Sequence, residues 1–290
     1  MNVAGVDIGG TSVKMGVLRQ GEGLIWQKKI PSVAGDPQAL SERIAGALRE
    51  CPYPYECVGV GTAGAVRLSD NTVTASNLRW VDVPLRSMLE RAVGCPVWVD
   101  NDAQVALAAE VYDGACKGAT DVVYLTLGTG IGGALLIGGK PWRGPDHTGG
   151  EMGHIITHAN GRKCSCGRRG CFETYASASS LARMAHRSTL QVMRAVQAGD
   201  AEMNSVFSRY IEELAIGASS LIMIFKPQML VLGGGLSSAG NLVSDRLQEA
   251  LDRQFSQLPR EYCSIQVRVA QHGNDAGVLG AAALALDNLH

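Results

Sequence analysis

His154, Cys164, Cys166 and Cys171 bring one imidazole and three thiols into a short segment, with carboxylates close on either side at Glu151 and Glu173. Three thiolates and an imidazole make a closed tetrahedral zinc shell with no position left for water, so the metal this spacing predicts is structural. Gly167 and Gly170 permit the tight turns that bring three sulfurs onto one ion, and His158 is a second candidate for the imidazole. A segment so rich in glycine and polar residues has little apolar surface to hold it still, so a bound ion would fix Glu151, His154 and Glu173 relative to one another. The expected chemistry therefore sits beside the metal and not on it.

Free cysteines are commonly buried as small hydrophobes, and the single ones at Cys51, Cys57, Cys95, Cys116 and Cys263 fit that habit. The other three, packed into Cys164–Cys171, do not. The N-terminus shows no secretory signal, which argues against disulfides and for a reduced, cytoplasmic setting. At 290 residues the chain is long enough for two modest domains or one large α/β unit. Its 26 basic and 27 acidic residues balance to a formal charge of −1, which leaves no footprint for nucleic acid or an anionic membrane. The longest apolar stretch, Leu214 to Phe225, is too short and too interrupted to span a bilayer. A small molecule is the expected partner.

The elements that must carry these groups follow from periodicity. Val3 to Ile8 is an apolar run ending in Asp7-Ile8-Gly9-Gly10-Thr11, after which Val13, Met15 and Val17 alternate with Ser12, Lys14 and Gly16. This pattern predicts a strand, a glycine turn and a second strand. Phosphate would then be cradled by hairpin amides and the Thr11 hydroxyl instead of by a helix N-terminus. A third strand is expected near Leu24 to Lys28, a helix through Leu40, Ile44, Ala47, Leu48 and Cys51, and a strand from Val58 to Gly61. Pro96 to Asp100 reads as a buried strand leading through Asn101 and Asp102 into the helix Ala103 to Tyr112. One of the two polar residues is enough for a helix cap. Two at the end of a strand lie where open α/β sheets build ligand crevices.

A second glycine loop, Gly128-Thr129-Gly130-Ile131-Gly132-Gly133, joins the strands Val122 to Leu127 and Ala134 to Ile137. A third, Gly233-Gly234-Gly235, closes the strand Met229 to Leu232 before a helix near Asn241 to Gln257. Alone, each would be a tight turn. The first two form a strand–loop–strand repeat about 120 residues apart, which points to two related halves that each present a phosphate loop to a shared cleft.

With Asp7-Ile8-Gly9-Gly10-Thr11, Asn101-Asp102, Gly128 to Gly133, Glu151-Met152-Gly153-His154 and Cys164-Ser165-Cys166-Gly167 to Cys171-Phe172-Glu173 in place, the chain resembles the ROK family of sugar kinases from Val3 to about Leu286. The resemblance implies an actin-like ATPase (ribonuclease H-like) α/β fold with two domains around an active-site cleft. The expected divisions are a small N-terminal α/β domain over 1–112, completed by a helix over 275–290, and a larger domain over 113–274 carrying the zinc loop. It further implies a cytoplasmic, ATP-dependent hexose kinase that uses Mg2+, holds a structural Zn2+ and forms a homodimer, with the apolar helix Ile211 to Phe225 as core or interface. Nucleic acid and membrane partners are not expected.

The roles it implies are these. Asp102 is the general base toward a sugar hydroxyl, most simply the C6 hydroxyl of glucose. Asn77, Asn101, Glu151, His154 and Glu173 contact the sugar, with one nitrogen of His154 on zinc and the other on sugar. Asp7, Gly9, Gly10, Thr11, Gly128, Thr129, Gly130, Gly132, Gly234 and Gly235 hold the nucleotide, Asp7 through Mg2+ and the last two on the adenosine side. N-acetylmannosamine or another N-acetylhexosamine is the alternative substrate, and a non-catalytic sugar-binding protein is a second functional class. Family repressors carry an N-terminal helix-turn-helix, for which a first strand beginning at Val3 leaves no room. The chain departs from the usual family pattern at Ser12, where Lys is common, at Ala63-Gly64, and in Asp146 to Gly150 ahead of Glu151. Arg162, Lys163, Arg168 and Arg169 surround the cysteines, and these cations are expected to lower thiolate basicity and slow metal loss.

Overall fold

The computed structural model describes residues 1–67, 69–259 and 265–289; Cys263 and His290 lie outside them. The chain divides into two compact units, Met1–Lys117 with Arg143–Gly149 and Asn274–His290, and Gly118–Trp142 with Gly150–Gly273. No helix among the described residues is long and apolar enough to cross a membrane.

The first unit opens with β1 (Asn2–Ile8), β2 (Ser12–Arg19) and β3 (Gly23–Pro31), followed by α1 (Pro37–Arg49) and β4 (Val58–Thr62). Asp36 caps α1 by accepting the Ala39 N–H at 2.9 Å, Pro37 occupies its first turn, and Leu40, Ile44, Ala47 and Leu48 form its buried stripe. A small hairpin sheet of β5 (Ala65–Arg67), β6 (Thr72–Ala75) and β7 (Trp80–Val83) comes next, then α2 (Leu85–Val93), β8 (Val97–Asn101) and α3 (Asp102–Asp113). The main sheet has the order β3-β2-β1-β4-β8, antiparallel from β3 to β1 and parallel from β1 to β8. β4 is buried at every position, as a strand covered on both faces must be. Its core joins Val6, Ile8 and Met15 to Ile44, Val60 and Leu89.

The second unit starts with β9 (Val122–Leu127), β10 (Ile131–Ile137) and β11 (Lys140–Trp142). The cysteine-bearing loop leads into α4 (Glu173–Ala176), α5 (Ala178–Ala185), α6 (Thr189–Gln197) and the long α7 (Ala201–Phe225). β12 (Met229–Gly233), α8 (Leu242–Phe255) and β13 (Gln266–Val269) complete it. Phe172, Phe207, Tyr210 and Leu214 lie at the centre of its core. The sheet order is β11-β10-β9-β12-β13, antiparallel through the first three strands and parallel through the last three. Each unit is thus built on a glycine-turn hairpin followed by two parallel strands, the internal repeat that the two glycine loops imply.

The last helix, α9 (Ala276–Asn288), returns to the first unit. It is made of small residues because it is buried nearly all round. A Cβ on Gly59 would lie 1.6 Å from the Ala281 carbonyl oxygen, and one on Gly280 would lie 1.8 Å from that of Val105 in α3. Glycine at both positions lets the helix backbone touch the sheet on one side and α3 on the other.

The first unit also takes in Arg143–Gly149, which the expected cut at 113 leaves with the second. Within that unit Arg143 pairs with Asp100, a contact between distant positions that no local pattern announces.

Candidate functional site

In the first unit, β8 delivers Asn101 and Asp102 to the start of α3. Asn101 is the helix cap: its Oδ1 accepts the Ala103 N–H at 2.9 Å, while its Nδ2 donates to the Gly64 carbonyl at 2.9 Å. Asp102 is the first helical residue and is exposed, with Oδ1 also 2.9 Å from the Ala103 N–H. One residue is therefore the cap and its neighbour a carboxylate held in place by the helix start. Gly64 has φ of 100° and its Cβ position is closed by the Thr74 carbonyl, so the backbone that receives Asn101 requires glycine.

The turn Gly9 to Ser12 joins β1 to β2, with the Gly9 N–H on the Ser12 carbonyl at 3.0 Å. Asn77 sits in a 3-10 turn, Ser76–Leu78, and its side chain lies over Gly10, 3.4 Å from where a Cβ would stand. Asp7 is half-buried and faces Lys14 in the hairpin register. Burial raises its pKa and the Lys14 ammonium opposes the rise. Lys14, two residues past the position where the family often has Lys, donates to the Asn274 carbonyl at 3.0 Å.

In the second unit, the Gly128–Gly130 turn is closed by a Gly128 N–H to Gly130 carbonyl bond of 3.0 Å and is tied to the start of α5 by the Ala178 N–H at 2.9 Å. A Cβ on Gly130 would lie 2.3 Å from Glu173 Oε2, so the phosphate-type turn and this carboxylate are in contact. Glu151 is exposed at the head of a 3-10 turn, Met152–His154. Gly234 and Gly235 follow β12 and are exposed.

His154, Cys164, Cys166 and Cys171 place one donor atom each within 4.8 Å of one another. Cys166 and Cys171 Sγ are 3.6 Å apart, and Cys164 Sγ is 3.7 Å from His154 Nδ1. A tetrahedral zinc shell has edges of about 3.8 Å between sulfurs and about 3.6 Å between sulfur and nitrogen, so the four donors fit such an ion. Of the two histidines, His154 is the one grouped with the three thiols. His158 instead stacks on Tyr175 at 3.8 Å and lies 3.4 Å from Glu213. Cys164 is pushed up to about 12 by burial and by its hydrogen bond to Glu173 at 3.0 Å. Cys166 is drawn down to about 6, chiefly by the Arg168 backbone N–H. Of the four surrounding cations, Arg168 bonds Cys166 and the His154 carbonyl, the latter at 2.7 Å, whereas Arg162 and Arg169 turn to the carbonyls of Thr174 and Gly161.

The ROK family profile matches residues 3–288. A glucokinase of Streptomyces coelicolor is 35% identical over 97% of this chain and 96% of its own. The chain belongs to the ROK family. An N-acetyl-D-glucosamine kinase of Escherichia coli is 30% identical over 97% of this ROK chain and 98% of its own. A ROK glucokinase from Streptomyces griseus, solved in complex with glucose and AMPPNP, superposes with a TM-score of 0.87 at 32% identity, covering 99% of this chain and all of the other. The α/β fold is that of the actin-like ATPases, as in all ROK proteins. A ROK transcriptional regulator shares the architecture at 20% identity with a TM-score of 0.87, a likeness of fold alone.

One element of this ROK chain has no counterpart in the sequence reading. Thr189, Leu190, Met193, Arg194 and Gln197 of α6 face Gly235, Leu236 and Gly240 across a cavity of about 390 Å³. The cue in the sequence is the third glycine cluster; that Leu190 stands 58% exposed beside it is visible only in the fold.

Proposed function

We propose that the chain is an ATP-dependent hexose kinase that phosphorylates glucose at the C6 hydroxyl. The observation that carries this reading is full-length similarity to glucokinases combined with an exposed carboxylate, Asp102, at the end of a parallel strand and pinned by a helix N-terminus. In the proposed mechanism the C6 oxygen attacks the γ-phosphorus, its O–H proton passes to the Asp102 carboxylate, and the bond from phosphorus to the β-phosphate bridging oxygen breaks to release ADP. A carboxylate suits this step because phosphoryl transfer depends on positioning and late proton acceptance more than on a strong base.

Asn101 and Asn77 hold sugar hydroxyls, as do Glu151, Glu173 and the His154 nitrogen not turned to the thiols. The Gly9–Thr11 and Gly128–Gly132 turns take the phosphates through backbone amides, and Asp7 holds the magnesium of MgATP, whose charge neutralises the triphosphate. Gly234, Gly235 and the α6 cavity receive the adenosine, with Leu190 offering an apolar surface to the base. His154, Cys164, Cys166 and Cys171 hold structural zinc. Ile216, Met223 and Ile224, all exposed on α7, are the surface we assign to a homodimer contact.

An N-acetylhexosamine substrate is the second reading, favoured by the kinase of Escherichia coli at 30% identity. ADP release from MgATP across hexoses and N-acetylhexosamines, with Asp102→Asn alongside, decides between them. Turnover of glucose that Asp102→Asn abolishes is the expected result. Turnover restricted to an N-acetylhexosamine replaces the substrate and keeps the mechanism. No turnover with any sugar in zinc-replete protein overturns the kinase reading.

A further inference from the structure

Asp100, the residue before Asn101, has a side chain only 6% exposed and is paired with Arg143, itself 17% exposed. Its carboxylate is used on both oxygens. Oδ1 accepts the Asn101 backbone N–H at 2.8 Å, and Oδ2 receives Arg143 Nε at 2.7 Å and Nη2 as well. Arg143 is presented by a closed loop in which the Gly149 N–H returns to the Arg143 carbonyl at 2.7 Å and the Thr148 N–H is held by Asp146 at 3.2 Å.

A buried ion pair is weak as a source of stability, since an apolar pair of the same volume commonly does as well. What this pair fixes is direction. The peptide that Asp100 clamps is the one from which the capping turn departs, and that turn aims the Asn101 amide and the Asp102 carboxylate. Two guanidinium nitrogens hold Oδ2 while the Asn101 N–H holds Oδ1, so the carboxylate is fixed at both ends, and an ammonium would replace the two bonds to Oδ2 by a single point contact.

We infer that Arg143 is a positioning residue for phosphoryl transfer, acting through Asp100 on the turn that carries Asn101 and Asp102. The inference rests on Asp102 being the proton acceptor. Arg143→Lys keeps the charge beside Asp100 and removes the fork, so it tests orientation without leaving a buried carboxylate unpaired.

The experiment compares the parent, Arg143→Lys, Asp100→Asn, the double variant and Asp102→Asn with MgATP and glucose. Turnover is normalised to MgADP-binding sites counted by calorimetry, so that unfolded protein does not register as lost kcat. Arg143→Lys and Asp100→Asn should each lose about tenfold to a hundredfold in kcat, the scale of a displacement of about 1 Å at a reacting group. KM for MgATP should stay within about twofold, and the double variant should be no worse than the poorer single one, because both act through one contact. Should Arg143→Lys keep kcat within about threefold of the parent, or should the two losses multiply, the inference is overturned. An active Asp102→Asn would instead remove the base assignment, and the two failures are read from separate variants.

Discussion

Gly217→Ala sets two known effects of one methyl group against each other. Replacing glycine by alanine inside a helix ordinarily stabilises by about 0.5–1 kcal/mol. Gly46 in α1 is such a site, where a new Cβ would meet nothing closer than the side-chain tip of Arg49, in the same helix, at 3.7 Å. Gly217 in α7 is not. Its Cβ would stand 2.3, 2.4 and 2.5 Å from three ring atoms of Phe172, a side chain with no exposed surface. Ordinary contact requires the ring to retreat by about 1 Å into a filled core, and overpacking of that kind costs about 1–3 kcal/mol. The clash exceeds the helix gain, so Gly217→Ala should be less stable by about 1–2 kcal/mol while Gly46→Ala is more stable by about 0.5–1 kcal/mol. Phe172 also lies between Cys171 and Glu173, and its N–H is bonded to the carbonyl of Ile155, next to His154, at 2.9 Å. Moving the ring therefore disturbs both arms of the metal set, and zinc affinity should fall by about tenfold or more, as for other supporting contacts of metal ligands. Urea unfolding of the zinc-loaded proteins reads the first effect, and competition with a chelator reads the second. If Gly217→Ala gains stability as Gly46→Ala does and keeps its zinc, the account of Phe172 as the strut of the metal loop is wrong.

Gly130→Ala should differ in kind. Its Cβ would meet only the far end of Glu173, which can swing away, so urea stability should hold while KM for the sugar rises about tenfold in steady-state assays. Arg168→Ala should speed zinc release to a chelator by several-fold, about the effect of losing one charge-assisted bond to a ligand, whereas Arg169→Ala, whose side chain serves the Gly161 carbonyl, should leave it unchanged. Zinc uptake near neutral pH should release about two thiol protons and not three, because Cys164 and Cys171 are shifted upward and stay protonated while Cys166, drawn down to about 6, has already lost its proton. Calorimetry in buffers of different ionisation enthalpy counts them.

What could be read in the sequence was what lies close along the chain. The hairpins stand where Ile8–Val13 and Leu127–Ile131 place them, because glycine turns interrupt alternating apolar runs. The same holds for the caps and for the thiols of the Cys164–Cys171 segment. The sequence favours His154 over His158 as the imidazole, and the fold groups His154 with the thiols while turning His158 toward Glu213. The β5–β7 sheet was missed because its strands are three or four residues long and half exposed, too short for a period to show. Arg143 was invisible for another reason. Its partner is 43 residues away in sequence, and nothing in Lys140-Pro141-Trp142-Arg143 marks it as buried.

The small-residue helix α9 sets an order of events during synthesis. β1 and β4 are translated before the second unit, and the face they offer to Ala281 and Ala282 has no cover until Ala276–Asn288 has been made. The second unit, whose strands and helices all lie between Gly118 and Gly273, can close its own core before that. Domains usually fold from the N-terminus onward as they emerge. Here the first unit to be translated is the last to be finished.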